Sequence, residues 1–321
     1  MRDMERDDAR PEAEESRCGY VAILGAPNAG KSTLLNQLVG AKVAIVTPKV
    51  QTTRSRITAI AIRRLPPATP GTPAIAAELV FLDTPGIFVP HRRLEKAMVA
   101  AAWSSAADAD LLVLVVDAGR GLDAQSRAII DGIKAAGRAA ILVLNKIDTV
   151  PRPRLLALTS ALNAAFPFAA TFMVQALNGD GVEDLARDLA LRLKPGPWLY
   201  PEDQLADMPE RLLAAEITRE KLFLRLHQEL PYALTVETES WEERKDGSLR
   251  LQQVIYVARE SQRAIVLGHG GSAIKAIGAE ARAELAQVLS RTVHLFLFVK
   301  VRKDWQDDPE RYREMGLDFP R

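Results

Sequence analysis

Short apolar segments alternate with stretches of helical spacing over the first part of the chain. Continuous apolar segments lie at 20–24, 78–82, 111–116 and 139–144, with a weaker one at 170–174. Such segments are typical of strands in a mostly parallel sheet that is buried on both faces. Alanine-rich stretches with helical spacing lie between or after them, at 94–107, 124–136, 153–165 and 181–193. This alternation predicts a doubly wound α/β domain.

A segment rich in proline and glycine at 194–201 ends this pattern, and a different order of elements follows. An amphipathic helix over 209–229 precedes two alternating strands at 234–242 and 249–259. A helix, a glycine-rich loop, a second helix and a strand at 293–301 complete a small α+β domain. The predicted organisation is a disordered acidic tail (1–18), the α/β domain (19–193), a linker (194–208), the α+β domain (209–303) and a C-terminal tail (304–321). A proline-rich loop is predicted at 65–73.

The composition excludes several classes of protein. The single cysteine, Cys18, excludes an intrachain disulfide and a multi-cysteine zinc site, and it fits a reducing compartment. The chain carries 42 Lys and Arg against 41 Asp and Glu, so the total charge of +1 favours neither a nucleic acid nor a membrane surface as partner. The charge is uneven, however, because residues 259–303 hold eight Lys or Arg and three acids.

A glycine-rich motif follows the first apolar segment. Gly25-x4-Gly30-Lys31-Ser32 matches a Walker A loop, in which backbone N–H groups and a helix N-terminus hold phosphates. Lys31 would reach the β- and γ-phosphates, and Ser32 would bind Mg²⁺. An accidental glycine-containing turn is the alternative, but the preceding strand and following helix are what the motif requires. The predicted nucleotide ligands here are Gly25, Ala26, Pro27, Asn28, Ala29, Gly30, Lys31, Ser32 and Thr33.

Two further motifs end predicted strands of the same domain. In Asp83-Thr84-Pro85-Gly86, the carboxylate would hold Mg²⁺ through water, and the Gly86 N–H would face the γ-phosphate, beside Ile87. An ordinary turn is the alternative.

In Asn145-Lys146-Ile-Asp148, the Asp148 carboxylate would accept hydrogen bonds from guanine N1–H and its exocyclic amine, and Lys146 would cover the ring. Asp148 as a helix N-cap is the alternative. The three motifs together predict guanine as the base.

At this point the sequence resembles the translation-factor-like P-loop GTPases. The resemblance identifies residues 50–55 as switch I, with Thr53, or alternatively Thr52, as the second Mg²⁺ ligand; an ordinary polar strand start is the other interpretation. It also implies that the Ala176 N–H serves the guanine oxygen, although Gln175 replaces the usual serine. The residues expected to take part in hydrolysis are Lys31, Thr53, Asp83 and Gly86.

The position that carries a water-orienting glutamine in other GTPases holds Ile87, which cannot orient a nucleophile. Asn28 stands where related GTPases use an asparagine to help bind K⁺, which can supply the charge of an arginine finger. We therefore expect slow, Mg²⁺-dependent hydrolysis of GTP to GDP that K⁺ stimulates. The alternative is that Asn28 only supports the loop.

Gly268-x-x-Gly271 lies between the two helices of the α+β domain and resembles the GxxG loop of a type II KH domain, which binds single-stranded RNA. An ordinary helix break, and a solvated charged face, are the alternatives. Gly270 replaces the lysine that is usual in the loop. The predicted RNA-binding residues are Arg263, Gly268, His269, Gly270, Gly271, Ile274, Lys275 and Arg282.

The pairing of these two domains is more specific than either alone. With Gln51-Thr-Thr-Arg54 and Glu229-Leu-Pro-Tyr232, it makes the chain after the tail similar to the Era family of GTPases. The resemblance implies binding near the 3′ end of 16S ribosomal RNA and a role in assembling the 30S subunit. It also implies a monomeric cytoplasmic protein with some peripheral association with the inner membrane.

Two other functions stay open. The chain could be an RNA-binding assembly factor for which GTP is only a conformational ligand, or a membrane-signalling GTPase whose terminal domain binds protein.

Overall fold

The computed structural model describes residues 14–50, 52–54, 57–227 and 230–319, except the side chains of Gln306 and Glu314. Gln51 and Ser55 of the predicted switch I, Glu229, and residues 1–13 of the predicted tail lie outside the described residues. The described chain forms a six-stranded sheet flanked by helices, followed by a three-stranded sheet with helices on one face. The predicted α/β domain and the α+β domain are both confirmed.

The larger sheet has the strand order β2-β3-β1-β4-β5-β6, and only β2 runs antiparallel to its neighbour. Two apolar cores lie on its two faces, which explains why the central strands are apolar at successive positions. The strands are β1 (Glu15–Gly25), β2 (Ile57–Leu65), β3 (Ile75–Asp83), β4 (Leu111–Asp117), β5 (Ile141–Asn145) and β6 (Thr171–Val174). The helices are α1 (Lys31–Val39), α2 (Arg93–Asp108), α3 (Ala124–Ala135), α4 (Arg152–Ala165) and α5 (Val182–Arg192).

The smaller domain has the order helix, strand, strand, helix, GxxG, helix, strand that is expected of a type II KH domain. β7 and β8 are antiparallel, while β8 and β9 are parallel, and the α6–α8 side carries the apolar core. Its elements are α6 (Glu210–Arg225), β7 (Leu234–Glu243), β8 (Leu249–Val257), α7 (Glu260–Leu267), α8 (Ser272–Val288) and β9 (Val293–Val301). A 3₁₀ turn at Leu230–Ala233 follows α6, so the predicted helix ends earlier than 229.

The prediction that residues 1–18 form a disordered tail is wrong for its last part. β1 begins at Glu15, because Glu15 to Cys18 pair in parallel with Ile75 to Glu78 of β3. The charged sequence gives no sign of this pairing, since its partner lies 60 residues away.

The predicted C-terminal tail is also wrong as far as the structure describes it. A 3₁₀ turn at Trp305–Asp307 leads into α9 (Pro309–Glu314), and the side chains of Trp305 and Tyr312 are each only 1% exposed. Tyr312 packs in a cluster with Leu94 and Met98 of α2. No helix in the described part of the chain is long and apolar enough to span a membrane.

Candidate nucleotide-binding site and RNA groove

The loop between β1 and α1 turns sharply at two residues with left-handed backbone. Gly30 has φ +94° and Asn28 has φ +63°. A Cβ at Gly30 would lie 2.1 Å from Nδ2 of Asn145, which itself donates to the Ala29 carbonyl at 2.9 Å. The position therefore requires glycine for both its backbone and its space. The Asn145–Ala29 hydrogen bond joins the Walker A loop (the phosphate loop, residues 25–32) directly to the Asn145-Lys146-Ile-Asp148 motif (the base-recognition motif).

Lys31 is the first residue of α1 and is buried beneath the loop. Its Nζ donates to the carbonyls of Gly25 and Ala26, each at 3.1 Å. Burial lowers the pKa of Lys31 to about 8, and the nearby carboxylate of Asp83 only partly opposes this. The ammonium group is therefore held at the loop by two carbonyl groups, and none of the described carboxylates is hydrogen-bonded to it directly.

Three oxygen ligands converge beside the loop. Ser32 Oγ lies 2.9 Å from Thr53 Oγ1 and donates to Asp83 Oδ2 at 2.9 Å, while Thr53 Oγ1 lies 3.4 Å from that same carboxylate oxygen. Asp83 Oδ1 is buried and has no partner within the described chain. Burial raises the pKa of Asp83, although Lys31 and the two hydroxyl groups oppose this shift.

These groups fit Mg²⁺, which prefers hard oxygen ligands and usually shares its coordination with phosphates and water. The partnerless Asp83 Oδ1 is the atom that a water of a hydrated cation would satisfy. Among the described residues, no cluster of three or more His, Cys, Asp or Glu could hold a metal ion. A Mg²⁺ ion bound beside Ser32, Thr53 and Asp83 would therefore take part of its ligands from the nucleotide and water.

The segment after β3 is closely packed against the phosphate loop. The Ile87 N–H donates to the Gly25 carbonyl at 3.1 Å, and Thr84 Oγ1 donates to the Ile23 carbonyl at 2.8 Å. A Cβ at Gly86 would lie 2.9 Å from Pro27. The side chain of Ile87 is buried in the apolar core, so position 87 has no polar group that could orient water.

Lys146 is held over the site by two hydrogen bonds. Its Nζ donates to the Asn28 carbonyl and to Asp117 Oδ2, both at 2.7 Å. Asp117 ends β4 and was not among the predicted site residues, although its place at the carboxyl end of an apolar strand was a usable signal. Asp148 is exposed in a 3₁₀ turn (Ile147–Thr149) and is not the cap of α4, because that cap is Pro151.

The Ala176 amide, whose contact with the guanine oxygen stays a prediction, is hydrogen-bonded within the protein. Its N–H donates to Asn145 Oδ1 at 3.0 Å instead of facing an open site. The physical reason is that Asn145 turns its amide nitrogen to the phosphate loop, which directs its oxygen toward Ala176. Ala176 therefore supports the base-recognition motif through Asn145.

The segment identified as switch I borders the other side of the nucleotide cavity, which has a volume of about 390 Å³. Its lining includes Asn28, Lys31 and Thr33 from the loop side, Thr47 just before switch I, Thr53 from switch I, and Lys146. Asn28 Nδ2 donates to the Pro48 carbonyl at 2.8 Å. This hydrogen bond joins the Walker A loop to the segment that precedes switch I.

The GxxG loop of the smaller domain joins α7 to α8. Gly268, Gly270 and Gly271 all have left-handed φ, of +71°, +58° and +77°. A Cβ at Gly268 would lie 2.7 Å from Cβ of Ala273, so this glycine is required by space as well as by backbone. His269 and Gly270 are exposed at the tip of the loop.

A groove of about 370 Å³ lies between α8 and the edge strand β9. Three of the predicted RNA-binding residues, Ile274, Lys275 and Arg282, line it, whereas Arg263 does not. Arg263 lies on α7, whereas α8 forms the helical wall of the groove. The Arg263 guanidinium pairs with Glu260 at 3.3 Å. Phe296 and Phe298, which are 44% and 48% exposed, also border the groove. Neither was predicted from the sequence, although two phenylalanines two positions apart lie on the same face of a strand and were a signal.

The fold and the site define a P-loop GTPase joined to a KH domain. Residues 20–146 match the family model described as a 50S ribosome-binding GTPase, and residues 229–306 match the KH domain model. The chain is 58% identical to the GTPase Era of Rhizobium meliloti (strain 1021), over 100% of this chain and 99% of that protein. It is 59% identical to the GTPase Era of Bradyrhizobium sp. (strain BTAi1 / ATCC BAA-1182), over 96% of each.

Two solved structures are similar over nearly the whole chain. One is a single-substitution variant of Aquifex aeolicus Era bound to GDP·AlF4⁻, with a TM-score of 0.85, 36% identity, and coverage of 94% of this chain and 99% of that one. The other is Era in complex with MgGDPNP and nucleotides 1506–1542 of 16S ribosomal RNA, with a TM-score of 0.85, 37% identity and the same coverage. The chain belongs to the Era GTPase family.

Proposed function

We propose that this chain is a GTP-hydrolysing switch that binds 16S ribosomal RNA near its 3′ end and assists assembly of the 30S subunit. The observation that carries the proposal is the union, in one chain, of the converging Ser32, Thr53 and Asp83 oxygens with a basic and aromatic groove behind a GxxG loop. The similarity along the whole chain to an Era bound to MgGDPNP and 16S RNA supports it.

The nucleotide site has the groups that positioning and charge stabilisation require. Ser32 and Thr53 would bind Mg²⁺ directly and Asp83 through water; the ion would neutralise charge on the phosphates. Lys31 would exchange its two carbonyl partners for phosphate oxygens. The Gly86 N–H would face the γ-phosphate, and Asp148 would select guanine. Hydrolysis is slow in this proposal, because the buried Ile87 offers no group that orients water.

Stimulation by K⁺ through Asn28 is part of the proposal, and equal hydrolysis rates in Na⁺ and K⁺ would refute it. The rest of the proposal follows the family resemblance. A monomeric state, a cytoplasmic location and peripheral association with the inner membrane stay predictions, as do the exact domain boundaries.

The RNA groove offers three kinds of contact. The tightly turned GxxG backbone can approach phosphates closely, while Lys275 and Arg282 supply positive charge along α8. Phe296 and Phe298 present apolar rings on which unstacked bases could stack. The groove therefore fits single-stranded RNA better than a duplex, whose bases are not exposed.

The test is binding of a fluorescent single-stranded RNA with the 3′-terminal sequence of 16S RNA, with GDPNP or GDP present. We expect salt-dependent binding that Gly268→Asp weakens at least tenfold, because a side chain would collide with Ala273 and a charge would repel phosphates. Gly71→Asp, in the exposed loop between β2 and β3, is the matched control and should bind normally. Equal binding by both variants would overturn the proposed RNA site.

The assembly role and the rival functions need two further measurements. Crosslinking of the full chain to ribosomal RNA, with GTP and with GDP, tests whether the 3′ end is the target. Single-turnover hydrolysis with and without RNA separates a switch from an assembly factor for which GTP is only a conformational ligand. A membrane-signalling GTPase would show neither the crosslink nor the RNA shift.

A further inference from the structure

The segment around switch I lines the nucleotide cavity and is also hydrogen-bonded to the KH domain. The segment that matters here is residues 46–54, which extends the predicted switch I (50–55) toward its N-terminal side and includes Gln51, which lies outside the described residues. The Val46 N–H donates to Glu220 Oε1 at 2.8 Å, and the Thr52 carbonyl accepts a hydrogen bond from Arg219. Lys49 Nζ donates to the carbonyls of Phe223 and Leu226 at the end of α6. Helix α6 thus holds both ends of the segment.

The side chain of Arg54 extends from the α/β domain (the G domain) into the α+β domain (the KH domain). Its side chain is almost completely buried, at 1% exposure. Nη1 donates to the Leu234 carbonyl at 2.7 Å, and Nη2 donates to the Pro231 carbonyl at 3.1 Å. The guanidinium also lies 5.5 Å from the ring centre of Phe223 and 5.9 Å from that of Trp305. All four of these partners belong to the KH domain or the segment that follows it.

The residue before Arg54 is Thr53, the proposed Mg²⁺ ligand. Adjacent Cα atoms are held ~3.8 Å apart, so an anchor at Arg54 restricts where Thr53 can go. Thr53 Oγ1 lies 2.9 Å from Ser32 Oγ, at the site where the three oxygen ligands meet. A buried guanidinium that loses its hydrogen bonds is costly. Switch I therefore cannot withdraw from the site without also breaking the Arg54 contacts.

We propose that Arg54 is a positioning residue for GTP hydrolysis, which holds Thr53 at the Mg²⁺ site through its anchor in the KH domain. This proposal rests on the proposed function. It makes the affinity for Mg²⁺ in the GTP state depend on the docking of the KH domain. By linkage, binding of Mg²⁺ and GTP stabilises that docking by the same factor. A residue that only filled space between the domains would affect the Mg²⁺-bound and the Mg²⁺-free states equally.

The experiment measures the Mg²⁺ concentration that gives half-maximal binding of GDPNP and half-maximal single-turnover hydrolysis, using the full chain. Arg54→Leu keeps an apolar side chain but removes every donor. We expect it to raise both Mg²⁺ concentrations about tenfold, within the roughly 5–150-fold range of typical site-to-site coupling. The affinity for GDP measured without Mg²⁺ should stay within about twofold, because Thr53 takes no part in it. Arg54→Lys should lie between, since an ammonium cannot reproduce the two-pronged contact.

Arg64→Leu is the matched control, because Arg64 is an exposed arginine of β2 that pairs with Glu202 at 2.6 Å. It should behave like the unmodified chain. If Arg54→Leu does not fold, Lys49→Met removes two contacts with α6 from a more accessible position and should shift Mg²⁺ dependence in the same direction.

An unchanged Mg²⁺ dependence in the folded variants, or an equal loss of GDP affinity, would overturn the proposal. Gly268→Asp tests the RNA site and should change neither the Mg²⁺ dependence nor the affinity for GDP. A failure of RNA binding is therefore distinguishable from a failure of Arg54 positioning.

Discussion

At the scale of single residues, Lys31 makes the affinity for the nucleotide depend on pH. Its pKa is lowered to about 8 by burial, and bound phosphates would raise it again. A group whose pKa rises on binding takes up protons, and the affinity falls as the pH rises above the pKa of the free state. We therefore expect GDP binding to take up about half a proton at pH 8, with weaker binding above pH 8.

Calorimetry in buffers of different ionisation enthalpy measures this uptake. At pH 7 the same chain serves as its own control, because Lys31 is then about nine-tenths protonated and its contribution falls to about one tenth of a proton. An uptake that is the same at both pH values would contradict the assignment to Lys31.

The site residues could be predicted where a short sequence motif determines their chemistry. Their hydrogen-bond partners in other loops could not be predicted. The sequence identifies Lys31, Ser32 and Asp83 because strand, loop and helix follow one another along the chain. It does not reveal that Asn145 uses both ends of its amide, on Ala29 and Ala176, because those contacts join separate loops. Charge in a segment likewise does not indicate which helix borders a groove, and Arg263 lies on α7, outside the groove lining.

At the scale of elements, Glu78 ties the interdomain segment to the sheet. This fully buried side chain of β3 accepts hydrogen bonds from the N–H groups of Leu199 and Tyr200, at 2.7 and 3.0 Å, and from the Cys18 thiol at 2.9 Å. Burial, together with the nearby Glu78, raises the pKa of Cys18 to about 12, so the thiol acts as a donor. The predicted linker is thus packed against the G domain rather than free.

We expect Glu78→Ala to lower the free energy of unfolding by about 1–3 kcal/mol, because three partly buried N–H and S–H donors lose their acceptor. Urea denaturation measures the change. Glu202→Ala is the control, since Glu202 forms an exposed ion pair with Arg64 and its loss should cost at most about 1 kcal/mol. Equal effects of the two substitutions would show that Glu78 does not hold the segment.

Elements whose partners are close in sequence were predictable, and those with remote partners were not. β2 was missed: it pairs with β3, which follows it directly in the chain, but its other edge is hydrogen-bonded to Leu205 and Asp207, which are remote in sequence. The same holds for the start of β1. The strands of the KH domain, by contrast, alternate clearly around a short turn at Asp246 and Gly247, and their prediction was correct within a few residues.

At the scale of the whole molecule, residues 305–319 connect the two domains. Trp305 Nε1 donates to the Ala233 carbonyl of the KH domain at 3.2 Å, and Asp307 pairs with Arg93 of α2 at 2.9 Å. Tyr312 and Leu317 pack against α2. Composition gave no warning of this role, because a short charged segment with three scattered aromatic residues looks like a solvated tail.

Tyr312→Ala should therefore destabilise the whole molecule. The side chain fills a cluster with Leu94 and Met98, so its loss leaves a cavity between the C-terminal segment and α2. We expect the free energy of unfolding to fall by about 3–5 kcal/mol, as for other large buried aromatic side chains. Leu156→Ala, at a side chain of α4 that is 67% exposed, should change it by about 0.5 kcal/mol or less. Thermal and urea unfolding give both values, and a loss below about 1 kcal/mol for Tyr312→Ala would mean that the segment is held by its polar contacts instead.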